Sequence, residues 1–169
     1  LAVIGGALAT RYGPRVVIAA GLLLAGLGML LTGMAGGVIT AALWRGLTGI
    51  GSAASNVPVM ALLAAWFAAR RRGLASGIAV GGSSIALIVV GPLVPRILSA
   101  FGESGWRISW FVFGGAALAL ALLSFVLLRN RPAEMGLKPV GDDDGGPAAA
   151  AGGGLQWGRV YRSPTVWHL

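Results

Sequence analysis

The sequence predicts an all-α fold, a polytopic bundle of transmembrane helices. Hydrophobic residues make up 56% of the 169 residues and charged residues only 11%, with a mean hydropathy of +0.82. An ordinary soluble domain has about 25% charged residues, so this chain has too little polar surface to face water. Four apolar stretches reach or exceed the roughly 20 residues that a helix needs to cross a hydrocarbon core of about 30 Å. None of them alternates apolar with polar residues as a membrane β-strand does.

The predicted elements follow in chain order. We expect residues 1–9 to be the tail of a helix that begins before Leu1, and residues 10–15 to form a short basic loop on the cytoplasmic side. Transmembrane helices are predicted at residues 16–35, 38–67, 73–100 and 108–128. Their many glycines favour close contact between helices, because small residues let membrane helices approach one another closely.

The remaining residues are more polar. Residues 129–162 are predicted to be a flexible cytoplasmic linker, because they combine prolines with an acidic run and a Gly/Ala-rich tract. The acidic run, Asp142-Asp143-Asp144, is typical of solubilising charge and not of a metal site, since no other ligands cluster nearby. Ser163 and Pro164 suit a helix start, so residues 163–169 are predicted to begin a further transmembrane helix.

The basic residues predict the orientation. If the four helices alternate in direction, ten of the thirteen Lys and Arg residues lie on one side. They are Arg11, Arg15, Arg70, Arg71, Arg72, Arg129, Arg131, Lys138, Arg159 and Arg162. Cytoplasmic loops are enriched in Lys and Arg, so that side is predicted to be cytoplasmic. We expect a multi-pass protein of the cell membrane, the inner membrane of a bacterium, surrounded by lipid. The net charge of +8 then requires no nucleic-acid partner.

The predicted loop and its flanks carry a recognisable pattern. Residues 6–15 read Gly-Ala-Leu-Ala-Thr-Arg-Tyr-Gly-Pro-Arg and resemble Gly-x-Leu-Ala-Asp-Arg-x-Gly-Arg-Arg, the loop between the second and third helices of the major facilitator superfamily. Six positions match, and Thr10 stands where the family has an acidic residue. The matching positions are Gly6, Leu8, Ala9, Arg11, Gly13 and Arg15. Residues 45–51 are similar to the family's fourth-helix signature, an arginine followed by glycines. Trp106-Arg107 and residues 131–139 resemble bacterial members similar to oxalate/formate and monocarboxylate carriers.

The resemblance implies a secondary active transporter that moves a small organic solute by alternating access. A carboxylate is the first candidate for that solute. It implies twelve helices in two halves, so that the missing second half of the same chain is an expected partner, and it makes a proton a candidate coupling ion. The loop residues Gly6, Thr10, Arg11, Gly13 and Arg15 would gate the cytoplasmic side, with Thr10 lacking the usual charge. The alternative is a non-transporting membrane subunit or a permease component of an ATP-driven complex. We expect no enzyme activity, no metal and no cofactor, since no catalytic or ligand set is visible in the sequence.

Arg45 lies within the second long apolar stretch. An arginine at the centre of a membrane helix costs about 2.5–3.5 kcal/mol on insertion scales, so its side chain should face protein or a water-filled cavity. At 100° per residue, Thr48, Ser52 and Asn56 lie within about 60° of Arg45 and form a polar stripe about 16 Å long. Two interpretations are open. The stripe lines a transport path in which Arg45 attracts an anion or takes part in proton coupling, or Arg45 makes a structural hydrogen bond to a neighbouring helix.

Overall fold

The computed structural model describes residues 2–141, and these residues form an all-α bundle, as the sequence predicts. The helices are α1 (Ala2–Tyr12), α2 (Pro14–Gly33), α3 (Val38–Trp66), α4 (Ala69–Phe101) and α5 (Gly105–Leu127). Single 3-10 turns follow at Gly102–Ser104 and Pro132–Met135. The acidic run and the helix predicted at residues 163–169 lie outside the described residues.

Three continuous helical stretches of the described chain are long and apolar enough to cross a membrane: Pro14–Gly33, Val38–Trp66 and Ala69–Leu127. The third has 59 residues, which corresponds to about 88 Å of helix, far more than one crossing needs. It is interrupted by the 3-10 turn at Gly102, whose φ of +54° reverses the chain. This stretch therefore divides into two helices, α4 with 33 residues and α5 with 23, each long enough for one crossing.

Helix α2 occupies the centre of the bundle, between α3 and α5. Half of the residues in its 18-residue apolar segment are buried inside the bundle, against 17% of the residues in the corresponding segment of α3. Gly21 and Gly28 face α3, and Gly26 and Gly33 face α5. A Cβ atom at Gly21 would lie 2.7 Å from the carbonyl oxygen of Gly51 on α3. The two pairs of glycines, each spaced by seven residues, let both neighbouring helices approach the backbone of α2.

Helices α1 and α4 lie at the periphery. α1 packs on α3, where Gly5 lies against the backbone of Ala54. Of the 33 residues of α4, only Ala75 is buried, while Leu87 and Ile88 are 72% and 73% exposed. A continuous apolar face of this size is unfavourable in water. Lipid or another part of the protein must therefore cover α4.

The link between α1 and α2 is much shorter than the predicted loop at residues 10–15. α1 continues to Tyr12 and α2 begins at Pro14, which leaves only Gly13 outside both helices. Proline suits the first position of a helix, where no backbone N–H is required. The prediction treated basic residues as loop residues, although arginine is a good helix former. For the same reason α4 begins at Ala69 and includes three arginines that were predicted to precede it.

One end of the bundle collects most of the positive charge. The α1–α2 link, the α3–α4 turn and the segment after α5 meet there, joined by the hydrogen bonds described below. Eight Lys or Arg side chains of the described residues lie at this end. They are Arg11, Arg15, Arg70, Arg71, Arg72, Arg129, Arg131 and Lys138. We call it the basic end.

Candidate functional site

Arg45 is held by an aromatic side chain of another helix. It is the eighth residue of α3, and its guanidinium carbon lies 4.2 Å from the centroid of the Trp110 ring on α5. Trp110 in turn makes an edge-to-face contact with Phe113, with 6.2 Å between ring centroids. A cation over an aromatic face contributes about 0.5–1 kcal/mol when exposed and about 2 kcal/mol when desolvated. The half-buried guanidinium thus has a partner that holds its position without neutralising its charge.

The polar stripe predicted around Arg45 divides into two parts. Ser52 and Asn56 are exposed, and each lies about 20° from Arg45 around the helix axis. Thr48 is only 3% exposed and packs against Gly28 of α2. Its hydroxyl donates to the carbonyl four residues earlier, at 3.0 Å. The structure therefore leaves Ser52 and Asn56 with Arg45 on an open face and places Thr48 in the contact between α2 and α3.

The charge on this face is positive. Between residues 2 and 141 there are eleven Lys and Arg residues but only two carboxylate side chains, Glu103 and Glu134. Within that part of the chain no salt bridge joins Arg45 to a carboxylate. The Arg45 guanidinium is thus not paired with a carboxylate among the described residues.

Arg15 connects two helices at the basic end. Its backbone N–H donates to Asn130 Oδ1 at 2.9 Å, and its side-chain Nε donates to the carbonyl of Phe125 at 2.6 Å. The guanidinium also lies 4.6 Å from the centroid of the Phe125 ring. Arg15 therefore joins the start of α2 to the end of α5 and the residues that follow it.

The other residues of the predicted gating loop lie in different surroundings. Gly6 packs on Val57 of α3, and Gly13 lies against the side chain of Asn130. Thr10 and Arg11 are exposed. The Thr10 hydroxyl donates to a carbonyl of its own helix at 2.7 Å, and Arg11 lies 5.6 Å from the ring of its neighbour Tyr12. Among the described residues, neither Thr10 nor Arg11 makes a hydrogen bond, ion pair or ring contact with a second helix.

We expect Gly13→Ala to destabilise the protein by about 1–3 kcal/mol. Gly13 has φ 84° and ψ 147°, a conformation open essentially to glycine alone. An added Cβ would also lie 2.8 Å from Asn130 Nδ2. Thermal melting of the intact protein in detergent measures the effect. Gly36→Ala is the matched control, since its Cβ would contact nothing within 4 Å. Equal melting temperatures for both variants would contradict the prediction.

Residues 129–140, which we call the strap, fold back under the bundle. The sequence predicts a flexible linker from residue 129, whereas the structure holds its first twelve residues against three helix ends. The 3-10 turn Pro132–Met135 is closed by Gly136, which has φ 68°. Sequence reasoning missed the strap because it treated proline and glycine as marks of flexibility. The available signal was the position of Pro132 at the start of a turn and of Gly136 at its end, because these residues favour an ordered turn there.

Backbone pairing attaches the strap to the α3–α4 turn. The Val140 N–H donates to the carbonyl of Trp66 at 2.8 Å, and the Ala68 N–H donates to the carbonyl of Val140 at 3.1 Å. The indole Nε1 of Trp66 donates to the carbonyl of Arg129 at 3.0 Å. The segment after α5 is therefore anchored at both of its ends on α3 and the turn that follows it.

Comparison with known proteins decides the family. A family model of the Major Facilitator Superfamily matches residues 1–169. The chain belongs to the major facilitator superfamily. This confirms the resemblance seen in residues 6–15, and it makes the chain part of a multi-pass membrane protein from a family of transporters.

This major facilitator is similar in sequence to several proteins named as transporters. Monocarboxylate transporter 3 of Mus musculus is 40% identical over 112 residues, which cover 66% of this chain and 22% of the relative. The probable hexose phosphate transport protein of Chlamydia pneumoniae is 31% identical over 139 residues, 81% of this chain and 30% of the relative. The probable sulfoacetate transporter SauU of Cupriavidus necator is 28% identical over 130 residues, 77% and 30%. The chain thus spans less than a third of the length of these relatives. No solved structure matches it significantly.

Proposed function

We propose that this major facilitator is part of a secondary active transporter that moves a small organic anion, a carboxylate by preference, by alternating access. The observation that carries the proposal is Arg45, a cation on an open helix face with an aromatic partner and no carboxylate partner among the described residues. Arg45, Ser52 and Asn56 would line the transport path, while Thr48 supports it by packing on α2. The basic end would face the cytoplasm of a bacterium, as expected from its arginines.

The chemistry of this face suits a carboxylate. A guanidinium accepts a carboxylate through two parallel N–H···O bonds, and such charge-assisted bonds are roughly twice as strong as neutral ones. The Trp110 ring fixes one face of the guanidinium, so the N–H groups at its edge are left for a ligand. Ser52 and Asn56 lie about two and three helical turns from Arg45. They offer hydroxyl and amide groups to the rest of the solute.

The named relatives support an anion as substrate. A monocarboxylate, a sulfoacetate and a hexose phosphate share a negative charge at neutral pH. An anion that crosses alone is opposed or driven by the membrane potential at about 2.3 kcal/mol per charge per 100 mV. A monoanion that crosses with one proton carries no net charge, which makes a proton the coupling ion we propose.

Uptake into proteoliposomes tests the proposal. The intact protein is reconstituted without ATP, and uptake of lactate, glucose and choline is followed with and without an imposed pH gradient. We expect saturable lactate uptake that the gradient accelerates and that a protonophore abolishes. Protein-free liposomes are the control. Uptake of glucose or choline alone would overturn the anion proposal, and uptake that requires ATP and an added ATPase would favour a component of an ATP-driven complex.

We also propose that residues 6–15 gate the cytoplasmic side. Thr10→Asp would restore the acidic charge of the family pattern. Its expected partner is the N-terminal end of a helix in the other half of the protein, which it would contact only when the cytoplasmic side is closed. Such a contact contributes about 0.3–1 kcal/mol, roughly a two- to fivefold change in population, whereas the unfavourable effect on the C-terminal end of α1 is the same in both states. We expect Thr10→Asp to favour the outward-facing state. The chain has no cysteine, so Asn56→Cys gives a single label site, and its modification from the cytoplasmic side should slow. Ser99→Asp, exposed in α4, is the control. An unchanged rate would contradict the gating role.

A further inference from the structure

An apolar groove lies at the basic end, between the last turns of α3 and α5. Its volume is about 310 Å³, and it is lined by four leucines together with Trp66, Phe67 and Arg129. Leu127, on the α5 side, is 70% exposed. The groove belongs neither to the Arg45 face nor to residues 6–15. It lies where both helices end, the level at which amphipathic aromatic residues such as tryptophan are enriched in membrane proteins.

The charge around the groove is strongly positive. The basic end holds eight Lys and Arg side chains and one carboxylate, that of Glu134, which gives a net charge of 8 − 1 = +7 among the described residues. Glu134 itself accepts the backbone N–H of Asn130 at 3.2 Å. Basic residues close to a membrane surface attract anionic lipids. The surroundings of the groove therefore select for a negatively charged ligand.

Arg129 places a cation at the mouth of the groove. One terminal nitrogen of its guanidinium donates to the carbonyls of Val126 and Leu128, at 2.9 and 3.2 Å. Within residues 2–141 no hydrogen bond uses its Nε or its second terminal nitrogen. The Trp66 indole fixes the Arg129 backbone through its carbonyl. The guanidinium is thus held at the end of α5 with donors left for an anion.

We propose that this groove binds an anionic phospholipid, with an acyl chain against the leucines and the phosphate at Arg129. The two parts of the groove match the two parts of such a lipid. Acyl chains are apolar wherever they lie in the membrane, so the leucines determine where the lipid lies and contribute little to which lipid binds. Selection comes from the net charge of the headgroup, since a zwitterionic lipid brings a cation of its own to the basic end and an anionic lipid does not.

Lipid retention tests this proposal. The intact protein is exchanged into micelles containing equal amounts of phosphatidylglycerol and phosphatidylcholine with identical acyl chains, and retained lipid is measured by native mass spectrometry. We expect phosphatidylglycerol to be retained about tenfold over phosphatidylcholine. Both lipids carry a phosphate, but the quaternary ammonium of choline cancels that charge and is repelled by the basic end, so only phosphatidylglycerol brings a net negative charge to it. Arg129→Gln removes the basic residue that lines the groove and should lower the preference about fivefold, whereas Arg129→Lys should retain most of it. Arg96→Gln, exposed at the other end of the bundle, should leave it unchanged.

A second pair of variants tests the groove itself. Leu127→Trp places a bulky ring at the groove and should reduce retained phosphatidylglycerol at least threefold. Leu122→Trp, at a comparably exposed position of α5, should have no effect. Equal retention of the two lipids by the wild type, or a preference that Arg129→Gln leaves unchanged, would overturn the proposal. Displacement of the lipid by soluble glycerol phosphate would also overturn it, because the headgroup alone would then account for binding.

Discussion

Replacement of Arg45 by glutamine is expected to reduce carboxylate uptake by the intact protein about ten- to a hundredfold. A hydrogen bond to a charged group contributes about 1.5–3 kcal/mol, and each 1.4 kcal/mol is a factor of ten in affinity. Glutamine keeps a polar side chain of similar reach but has no charge, and it cannot stack on Trp110 as a cation. Initial uptake rates over a range of lactate concentrations measure the effect, which should be seen mainly as a raised KM.

Two controls separate a substrate contact from a structural role. Arg45→Lys keeps the charge but loses the planar pair of donors, so its uptake should be intermediate. Trp110→Leu removes the aromatic partner and leaves the arginine in place. Suppose that Arg45→Gln and Trp110→Leu lower the melting temperature equally while KM stays at the wild-type value. Arg45 is then a structural residue and does not line the transport path.

Gly51→Ala is expected to destabilise the helix bundle by about 1–3 kcal/mol, the usual cost of overpacking a tight contact. The added Cβ would lie 2.5 Å from the Gly21 carbonyl oxygen and 2.6 Å from the Ala25 backbone nitrogen. These two atoms belong to consecutive turns of α2, so no side-chain rotation relieves the contact. α2 and α3 must separate. The melting temperature should fall by roughly 2–12 °C, on the scale of 2–4 °C per kcal/mol for domains of this size.

Gly49→Ala is the matched control for this prediction. It makes the same chemical change two residues away on the same helix, where an added Cβ would contact nothing within 4 Å. Alanine is the better helix former of the two residues, so Gly49→Ala should leave the melting temperature unchanged or raise it. A similar decrease for both variants would show that loss of glycine, and not the α2–α3 contact, determines stability.

The helices were predictable because length and hydropathy determine membrane crossings directly. The sequence also predicted tight packing through glycine, and α2 shows where that packing occurs. The helix ends were less predictable. Arginine is compatible with both a loop and a helix terminus, so the residues around Gly13 and the start of α4 were assigned to loops.

The candidate site was predictable only in part. A helical wheel gives directions around one helix but does not say which neighbour lies in each direction. It grouped Thr48 with Arg45, although Thr48 lies about 60° away, enough to bring it against Gly28 of α2. Trp110 as the partner of Arg45 was beyond the sequence, since the two residues are 65 positions apart and meet only through tertiary packing.

The strap changes where the following part of the chain is tethered. If the chain left the bundle at Leu127, the next thirteen residues would give about 45 Å of reach at 3.3–3.6 Å per residue. Because Val140 is paired with the α3–α4 turn, that length is already used. The part of the chain after Gly141 is therefore attached beside the α3–α4 turn. The distance that it can span is counted from that point and not from the end of α5.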